Sequence, residues 1–562
     1  MRSPFRYILI VLVIISFQNN SFTQALPDTT IKKIDSLFRN WSNTQSPGFA
    51  IGVIRNDSLL YAKGYGMGNL EYGIPISGET IFHMASVSKQ FTAYSIVLLA
   101  AKGRLKLDDD IHNYLPWFPD LKEKITIRHL LNHTSGIRDQ WQLLAIGGTR
   151  LDDVITQEQI VKVLSKQRAL NFKPGSQYLY SNSGFTMLAE IVKSVTGQTL
   201  RQFTDSAIFK PLGMNDTHFH DDYTEVVRNR AYSYYRKNGS EFSNAILSYS
   251  NAGATSLFTN INDLSKWIMN FYNPVVGTKA DIEQLVEKGK LNNAKEITYA
   301  LGIAHDQYKG WTQYSHSGGD AGYRTWLTVF PDIKTGFILF TNLGDADIYG
   351  RTYKLVDLFV RDTTTKKPAA AANNIDSTKA ILKNEARVQN WTGDYIGDDG
   401  ARFSFALHDH KLYWERNGNS DLLYSGDRDS FFMAKSPEVQ FVFDINSGNT
   451  IVNEYWPDGM RHLIKYNKDE NPKSDEQLRE YVGTYHSSEL DCDYSIIVKD
   501  HAAILSSTKY DDSKLSFIGK NDLSTDYWWM RHLQLIRDKT KKITGFEVND
   551  GRIMHLRFDK VK

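Results

Sequence analysis

The spacing of apolar residues changes period along the chain, and the changes mark out its elements. Residues 49–55 and 58–65 are β-branched-rich runs in which apolar and polar positions alternate, and Asn56-Asp57 between them predicts a hairpin turn. Gly64-Tyr65-Gly66-Met67-Gly68 then breaks the alternation. In residues 86–101 apolar side chains fall at Val87, Phe91, Tyr94 and Leu98, one face of a helix, which predicts a buried helix. A mainly helical region follows to about residue 306, punctuated by Leu115-Pro116-Trp117, Lys173-Pro174-Gly175 and Lys210-Pro211-Leu212-Gly213. Strand-like runs return at residues 311–316, 323–330 and 336–341. The simplest arrangement is an α/β (α+β) domain, an antiparallel sheet built from both ends of the region and flanked by helices, with a helical lobe inserted between them. A site belongs where sheet and lobe meet.

Residues 362–385 contain Thr363-Thr364-Thr365-Lys366-Lys367-Pro368 and an alanine run, the composition of a linker closing a domain at residues 26–361. An internal repeat follows. Trp391-Thr392-Gly393-Asp394-Tyr395 matches Tyr481-Val482-Gly483-Thr484-Tyr485. Asp458-Gly459, His462-Leu463 and Lys465-Tyr466 match Asp550-Gly551, His555-Leu556 and Arg557-Phe558. The repeats define units at residues 386–470 and 475–562, each with many short strands between Gly, Asn and Asp turns, and each expected to be a small antiparallel all-β barrel-like module. Their aromatics are read as core, not as a carbohydrate-binding face.

A chain of 562 residues suits three or four such units. Its formal charge of +2 implies neither nucleic acid nor an anionic membrane surface as partner. At the N-terminus Arg2 and Arg6 precede an apolar run at residues 7–17 and Thr23-Gln24-Ala25, which reads as a signal peptide over residues 1–25. The expected location is periplasmic or secreted, with no transmembrane span after signal removal. Cys492 is the only cysteine, so an exported chain has no internal disulfide and no cysteine-based zinc cluster.

Candidate chemistry centres on Ser86-Val87-Ser88-Lys89. Residues three apart on a helix are neighbours, so the Lys89 ammonium can reach the Ser86 hydroxyl and stabilise an alkoxide or a nearby phenolate. The spacing alone is weak, since Ser506-Ser507-Thr508-Lys509 repeats it in a β-rich stretch. Tyr180-Ser181-Asn182 sits on a loop before a helix-periodic segment; near Lys89, Tyr180 can accept the Ser86 proton and Asn182 can donate to a substrate carbonyl. It too has a decoy, Tyr249-Ser250-Asn251. His316-Ser317-Gly318-Gly319 follows a strand, and a glycine pair there lets substrate approach the backbone, with an N–H able to pair with that of Ser86 as an oxyanion hole. His129, His133 and Asp108-Asp109-Asp110 are read as structural or solvated. No His-Glu-x-x-His, phosphate loop or Gly-x-Ser-x-Gly elbow occurs, and no metal or cofactor is called for.

Together Ser86-Val87-Ser88-Lys89, Tyr180-Ser181-Asn182 and His316-Ser317-Gly318 resemble the three motifs of the serine β-lactamase-like hydrolases: penicillin-binding proteins, class C β-lactamases, related esterases and D-aminopeptidases. Phe82-His83-Met84-Ala85, His129-Leu130-Leu131-Asn132-His133-Thr134-Ser135-Gly136 and Lys210-Pro211-Leu212-Gly213-Met214 also look like this family. The resemblance implies a mixed sheet with helices on both faces. It implies that Ser86 forms an acyl-enzyme, that Tyr180 assisted by Lys89 shuttles the proton, and that Asn182, His316 and Gly318 bind substrate. The N–H groups of Ser86 and Gly319 would form the oxyanion hole. The tail modules look similar to lipocalin-like domains of D-aminopeptidase relatives, which can shape access to the site.

The expected function is a secreted serine hydrolase acting on ester, amide or D-amino-acid peptide bonds, its partner a small-molecule or peptide substrate. His316 stands where β-lactamases and transpeptidases usually carry lysine, and a neutral histidine is a poor partner for a carboxylate. That departure makes a D,D-carboxypeptidase or weak β-lactamase on cell-wall-like substrates the alternative. A non-catalytic penicillin-recognising or glycan-binding protein is the third reading.

Overall fold

The computed structural model describes residues 26–364, 385–397, 401–416, 419–425, 429–434, 439–446, 449–456, 459–465, 474–519 and 521–561. The signal-peptide reading of residues 1–25 and most of the proposed linker lie outside the described residues. Among those described, no helix is long and apolar enough to cross a membrane.

The main sheet holds β1 (Phe49–Arg55), β2 (Ser58–Tyr65), β3 (Ala304–Tyr308), β4 (Trp311–Asp320), β5 (Tyr323–Phe330) and β6 (Thr335–Thr341), in the order β3-β4-β5-β6-β1-β2. All five pairings are antiparallel, as the alternating runs predict and in contrast to the mixed sheet that the resemblance implies. Asn56 turns the β1–β2 hairpin with φ of 53°, a left-handed conformation asparagine tolerates. Two boundaries differ from expectation. The helical region was expected to run to about residue 306, but β3 occupies residues 304–308; it pairs on one side only, so it lacks the apolar alternation of a buried strand. β4 continues past His316 to Asp320, so its glycine pair lies inside the strand.

The helices that matter here are α1 (Asp28–Phe38), α2 (Lys89–Ala101), α3 (Gln140–Ile146), α4 (Asn182–Thr196), α5 (Ile261–Asn270) and α6 (Ile348–Val356). The two-residue period sorts β1 between layers: Phe49, Ile51 and Val53 pack with Ile34 and Phe38 of α1 and with Leu355 and Val356 of α6, while Ala50 and Ile54 join Leu264 and Ile268 of α5. A Cβ at Gly52 would stand 2.7 Å from Ile261 Cγ2, so glycine is what lets α5 lie this close. Helix α2 is buried on all sides from Lys89 to Leu99, and Phe91 packs against Trp267 with ring centroids 4.6 Å apart. Each fully buried large apolar side chain contributes about 1.5–3 kcal/mol, which fixes this helix as the spine of the domain.

The tail folds as a closed eight-stranded barrel from Gly393–Gly397 to Gly459–Lys465, then a nine-stranded, nearly closed barrel. The internal repeat appears as a repeated lock. Tyr395 donates to the carbonyl of Trp391 at 2.7 Å and Tyr485 to that of Tyr481 at 2.6 Å. Lys465 then reaches the carbonyl of Asn390, and Lys560 that of Glu480. Lys560, opposite Tyr485, thus takes the place of Lys465, opposite Tyr395. The sequence match had paired Lys465 with Arg557. A register irregularity between Val548 and Asp550 accompanies the offset.

The second barrel shares a hydrophobic cluster with the domain that carries the main sheet. Buried Arg138 reaches both carboxylate oxygens of Glu489 from Nη1, at 2.7 and 2.8 Å, and donates from Nε and Nη2 to the carbonyls of Met554 and His555. Tyr494 donates to the carbonyl of Ile146 and Tyr510 to that of Ala145, both at the end of α3.

Candidate active site

Ser86 lies in a single 3-10 turn, Ala85–Ser88, that runs directly into α2. Of residues 81 to 99 it alone is not buried. Ala85 before it has φ of 48°, left-handed backbone that costs a non-glycine residue about 1–2 kcal/mol and occurs most often at functional turns. β4 presses on this turn: a Cβ at Gly318 would meet the carbonyl oxygen of Met84 and Oγ1 of Thr325, each at 2.3 Å. Only glycine fits that contact. Gly319, next along the strand, pairs in register with Arg324, whose side chain is the nearest neighbour of a Cβ built there.

The structure brings Ser86, Lys89, Tyr180 and Asn182 together. Lys89 Nζ is 3.1 Å from Ser86 Oγ, 2.8 Å from Asn182 Oδ1 and 2.7 Å from the carbonyl oxygen of Ala254. It also stands 4.9 Å from the centre of the Tyr180 ring. Burial pushes the Lys89 ammonium down to about 7, against the pull of Asp320. A neutral amine would spend its two hydrogens on Asn182 and Ala254 and turn its lone pair to Ser86. Tyr180 moves the other way. Burial raises its hydroxyl, although a hydrogen bond with Ser86 and the charge of Arg552 act against the rise. Tyr180 is therefore protonated at neutral pH, not the phenolate that its sequence neighbourhood suggests.

Asn182 opens α4. Its backbone N–H and its Nδ2 both donate to Asp139 Oδ2 at 2.8 Å, so it links Lys89 to Asp139. The donor assigned from sequence to a substrate carbonyl is thus turned toward a carboxylate. His316 on β4 is buried, with Nδ1 donating to the carbonyl of Ser317 at 2.6 Å and Nε2 accepting from the Tyr299 hydroxyl at 2.8 Å. Burial lowers it to about 3, so it is neutral. Its ring lies 6.4 Å from that of Tyr180.

His133 accepts from the N–H of Ser181 at 3.1 Å, and its ring packs 4.1 Å from that of Tyr180, a structural support for the loop. His129 completes the cap of Ile127–Leu131, and Asp108, Asp109 and Asp110 bond to Arg128, Tyr114 and His112. Of the decoys, residues 506–509 belong to the second barrel, and the second Tyr-Ser-Asn copy is tied up in a short strand, Tyr249–Ser250 pairing with Ile155–Thr156.

Three contributors escaped sequence reasoning. Asp139 caps α3, accepting from the N–H of Trp141, and holds Asn182; an Asp before a helix carries no sign of the second task. His83 Nε2 lies 2.9 Å from Asp320 Oδ2, which also accepts from Thr255, setting a carboxylate near Lys89. The third is Arg552, beyond Gly551 at the tip of a hairpin of the second barrel. Its guanidinium lies 4.7 Å from the centre of the Tyr180 ring and 3.5 Å from Asp139 Oδ2. Gln142 and Asn171 fix the hairpin, bonding the backbone of Asp550, Arg552 and Met554. The repeat had marked Asp550-Gly551 as a turn, and only the docked structure carries that turn to the site.

Residues 31–357, more than half of the chain, match the family model described as Beta-lactamase. Penicillin-binding protein 4* of Bacillus subtilis (strain 168) is 26% identical over 438 residues, covering 75% of this chain and 96% of that protein. The D-aminopeptidase of Brucella anthropi is 24% identical over 497 residues, covering 86% and 85%. Among solved structures, the octameric penicillin-binding protein homologue from Pyrococcus abyssi superposes with a TM-score of 0.52 at 21% identity, over 78% of this chain and 98% of that one. The D-amino acid amidase from Ochrobactrum anthropi SV3 gives 0.51 at 18% identity, over 59% and 98%. The three motifs converge where the sheet meets the helical lobe, inside the matched residues, and the chain belongs to the Beta-lactamase family, a family of serine hydrolases.

Proposed function

We propose that the protein is an exported hydrolase that works through an acyl-enzyme on Ser86, acting on ester, amide or D-amino-acid peptide bonds. The observation that carries this reading is the 3.1 Å approach of a buried Lys89, lowered to about 7, to the one accessible side chain of its segment. Ser86 Oγ attacks the carbonyl carbon while its proton passes to the neutral Lys89 amine. The tetrahedral oxyanion forms toward the N–H groups of Ser86 and Gly319. Tyr180, protonated, gives its proton to the leaving oxygen or nitrogen and takes one back from the Lys89 ammonium. Water then attacks the ester, Lys89 accepts its proton, and Ser86 leaves as the alcohol. Asn182 orients Lys89, and His316 and Gly318 form the wall beside the acyl group. Relatives named as a D-aminopeptidase and a penicillin-binding protein support the substrate range, and the basic and apolar N-terminus supports export.

Arg552 favours the second reading, a carboxylate-bearing substrate such as a β-lactam or a peptide C-terminus. Neutral His316 offers no cation, whereas the Arg552 guanidinium does, partly exposed beside Tyr180. Intact-protein mass after brief exposure to an activated ester, and separately to a penicillin, tests both readings. Adducts on the parent and none on Ser86→Ala, followed by turnover, are expected. A penicillin adduct that never clears supports a penicillin-recognising protein instead, and no adduct with either probe on folded protein removes the acyl-enzyme. With Arg552→Ala, acylation by penicillin is expected to slow about tenfold or more, the scale of one charge-assisted contact, while a neutral ester changes far less. Equal losses would deny Arg552 a part in substrate choice.

A further inference from the structure

Three short strands run from the Ser86 turn to the edge of the domain: Phe82–His83 pairs with Leu257–Thr259, which pairs with His218–Phe219. At that edge His218 stacks on Phe258 with ring centroids 5.9 Å apart, and His220 packs against it at a tilt, 4.7 Å away. A turn in which Thr224 bonds Asp222 brings Glu225 back to them. His220 Nδ1 is 3.5 Å and His218 Nε2 is 3.9 Å from Glu225 Oε2, and the three atoms lie within 4.8 Å of one another.

These distances exceed the roughly 2.7–3.2 Å of an N–H to oxygen hydrogen bond. They approach the donor spacing of about 3.4 Å around a tetrahedral ion with bonds near 2.0–2.1 Å, which small ring rotations would complete. Among the described residues, neither His218 Nε2 nor His220 Nδ1 has a hydrogen-bond partner, and His220 is 3% exposed. Two unpaired imidazole nitrogens facing one carboxylate oxygen, each beyond hydrogen-bond distance of it, leave a place for a shared ligand. Arg201 grips Glu225 at 2.6 and 2.8 Å, as an outer partner orients a ligating carboxylate. Arg201 also pairs with Asp221, and Arg230 stacks on Phe258. The two carboxylates balance these two guanidiniums, so the imidazoles must supply much of the affinity. A cavity of about 420 Å³ reaches His218 and Glu225, giving an ion its path in and room for a water as further ligand.

We propose that His218 Nε2, His220 Nδ1 and Glu225 Oε2 bind one divalent transition-metal ion of the zinc class, which fastens the 221–225 turn to the sheet edge. The family's hydrolytic groups are not among these ligands, so the role is structural. The histidines are two apart with no second motif near them, which is why the sequence carries no metal signature.

The full-length mature protein, freed of metal by a chelator, is titrated with Zn2+ alone and with Co2+ alone. One saturable equivalent per chain, a higher thermal midpoint with Zn2+ and visible d–d absorption with Co2+ are expected. Glu225→Gln and His220→Ala should each weaken binding at least tenfold, with ester turnover of the folded variants unchanged. If His220→Ala fails to fold, Glu225→Gln and the Co2+ spectrum of the parent decide. The absence of saturable binding by the parent overturns the proposal. So does binding undiminished in Glu225→Gln with no imidazole signature in the Co2+ spectrum.

Discussion

At the residue scale the outcome rests on which of two effects sets each proton affinity. For Lys89, burial outweighs the nearby Asp320 and Asp139 carboxylates and makes the amine a base near neutrality. For Tyr180, burial outweighs Arg552. With Lys89 as proton acceptor, kcat/KM should rise with pH through about 7 and level off above, since the amine is protonated below that value and free above it. A profile flat from pH 5 to 8 would exclude it. The two charges beside Lys89 shift this limb in opposite senses. Asp320 raises the Lys89 value, so Asp320→Asn should move the limb to lower pH; Arg552 lowers it, so Arg552→Ala should move it higher. Ester hydrolysis across pH on the three proteins checks both signs. Replacing Lys89 by Met should cost about 10²–10⁴ in kcat/KM.

At the scale of elements, the contact between β4 and the Ser86 turn decides whether nucleophile and sheet stay in register. Gly318→Ala drives a methyl into the Met84 carbonyl and the Thr325 hydroxyl, so a loss of about 1–3 kcal/mol is expected, along with slower acylation. Urea unfolding and a burst-phase ester assay measure the two; a variant as stable and as fast as the parent would refute the close contact. The strands, the hairpin at Asn56-Asp57 and the buried helix α2 were legible because alternation and helical spacing are local. β3 was not, since an edge strand half open to solvent has little apolar pattern. The polar residues of the buried helix are met inside the core: Gln90 Oε1 accepts from Trp267, Thr92 donates to the Gly253 carbonyl and Ser95 to that of Phe91.

At the scale of the whole molecule, the second barrel is part of the site's architecture. Its hold depends on Arg138, whose charge is buried against Glu489. Breaking such a pair from one side costs about 3–5 kcal/mol, because the remaining charge is stranded. Arg138→Met should therefore lower the urea midpoint and free the hairpin, exposing the 550–552 turn to limited proteolysis. Adding Glu489→Leu should restore much of the stability by removing the orphaned carboxylate. If the single variant keeps both midpoint and protease resistance, the docking does not depend on this pair.

What the sequence determined by itself were the features set over short spans: strand and helix periods, the turn residues, the repeat in the tail, and the Ser-x-x-Lys, Tyr-x-Asn and His-x-Gly motifs whose joint order marked the family. The tertiary structure alone decided what depends on partners far apart in the chain. It set Asp139 behind Asn182, 43 residues on, and Arg552 over Tyr180 from another module. It also fixed the proton affinities, because desolvation depends on everything packed around a group and spacing along the chain carries no record of it.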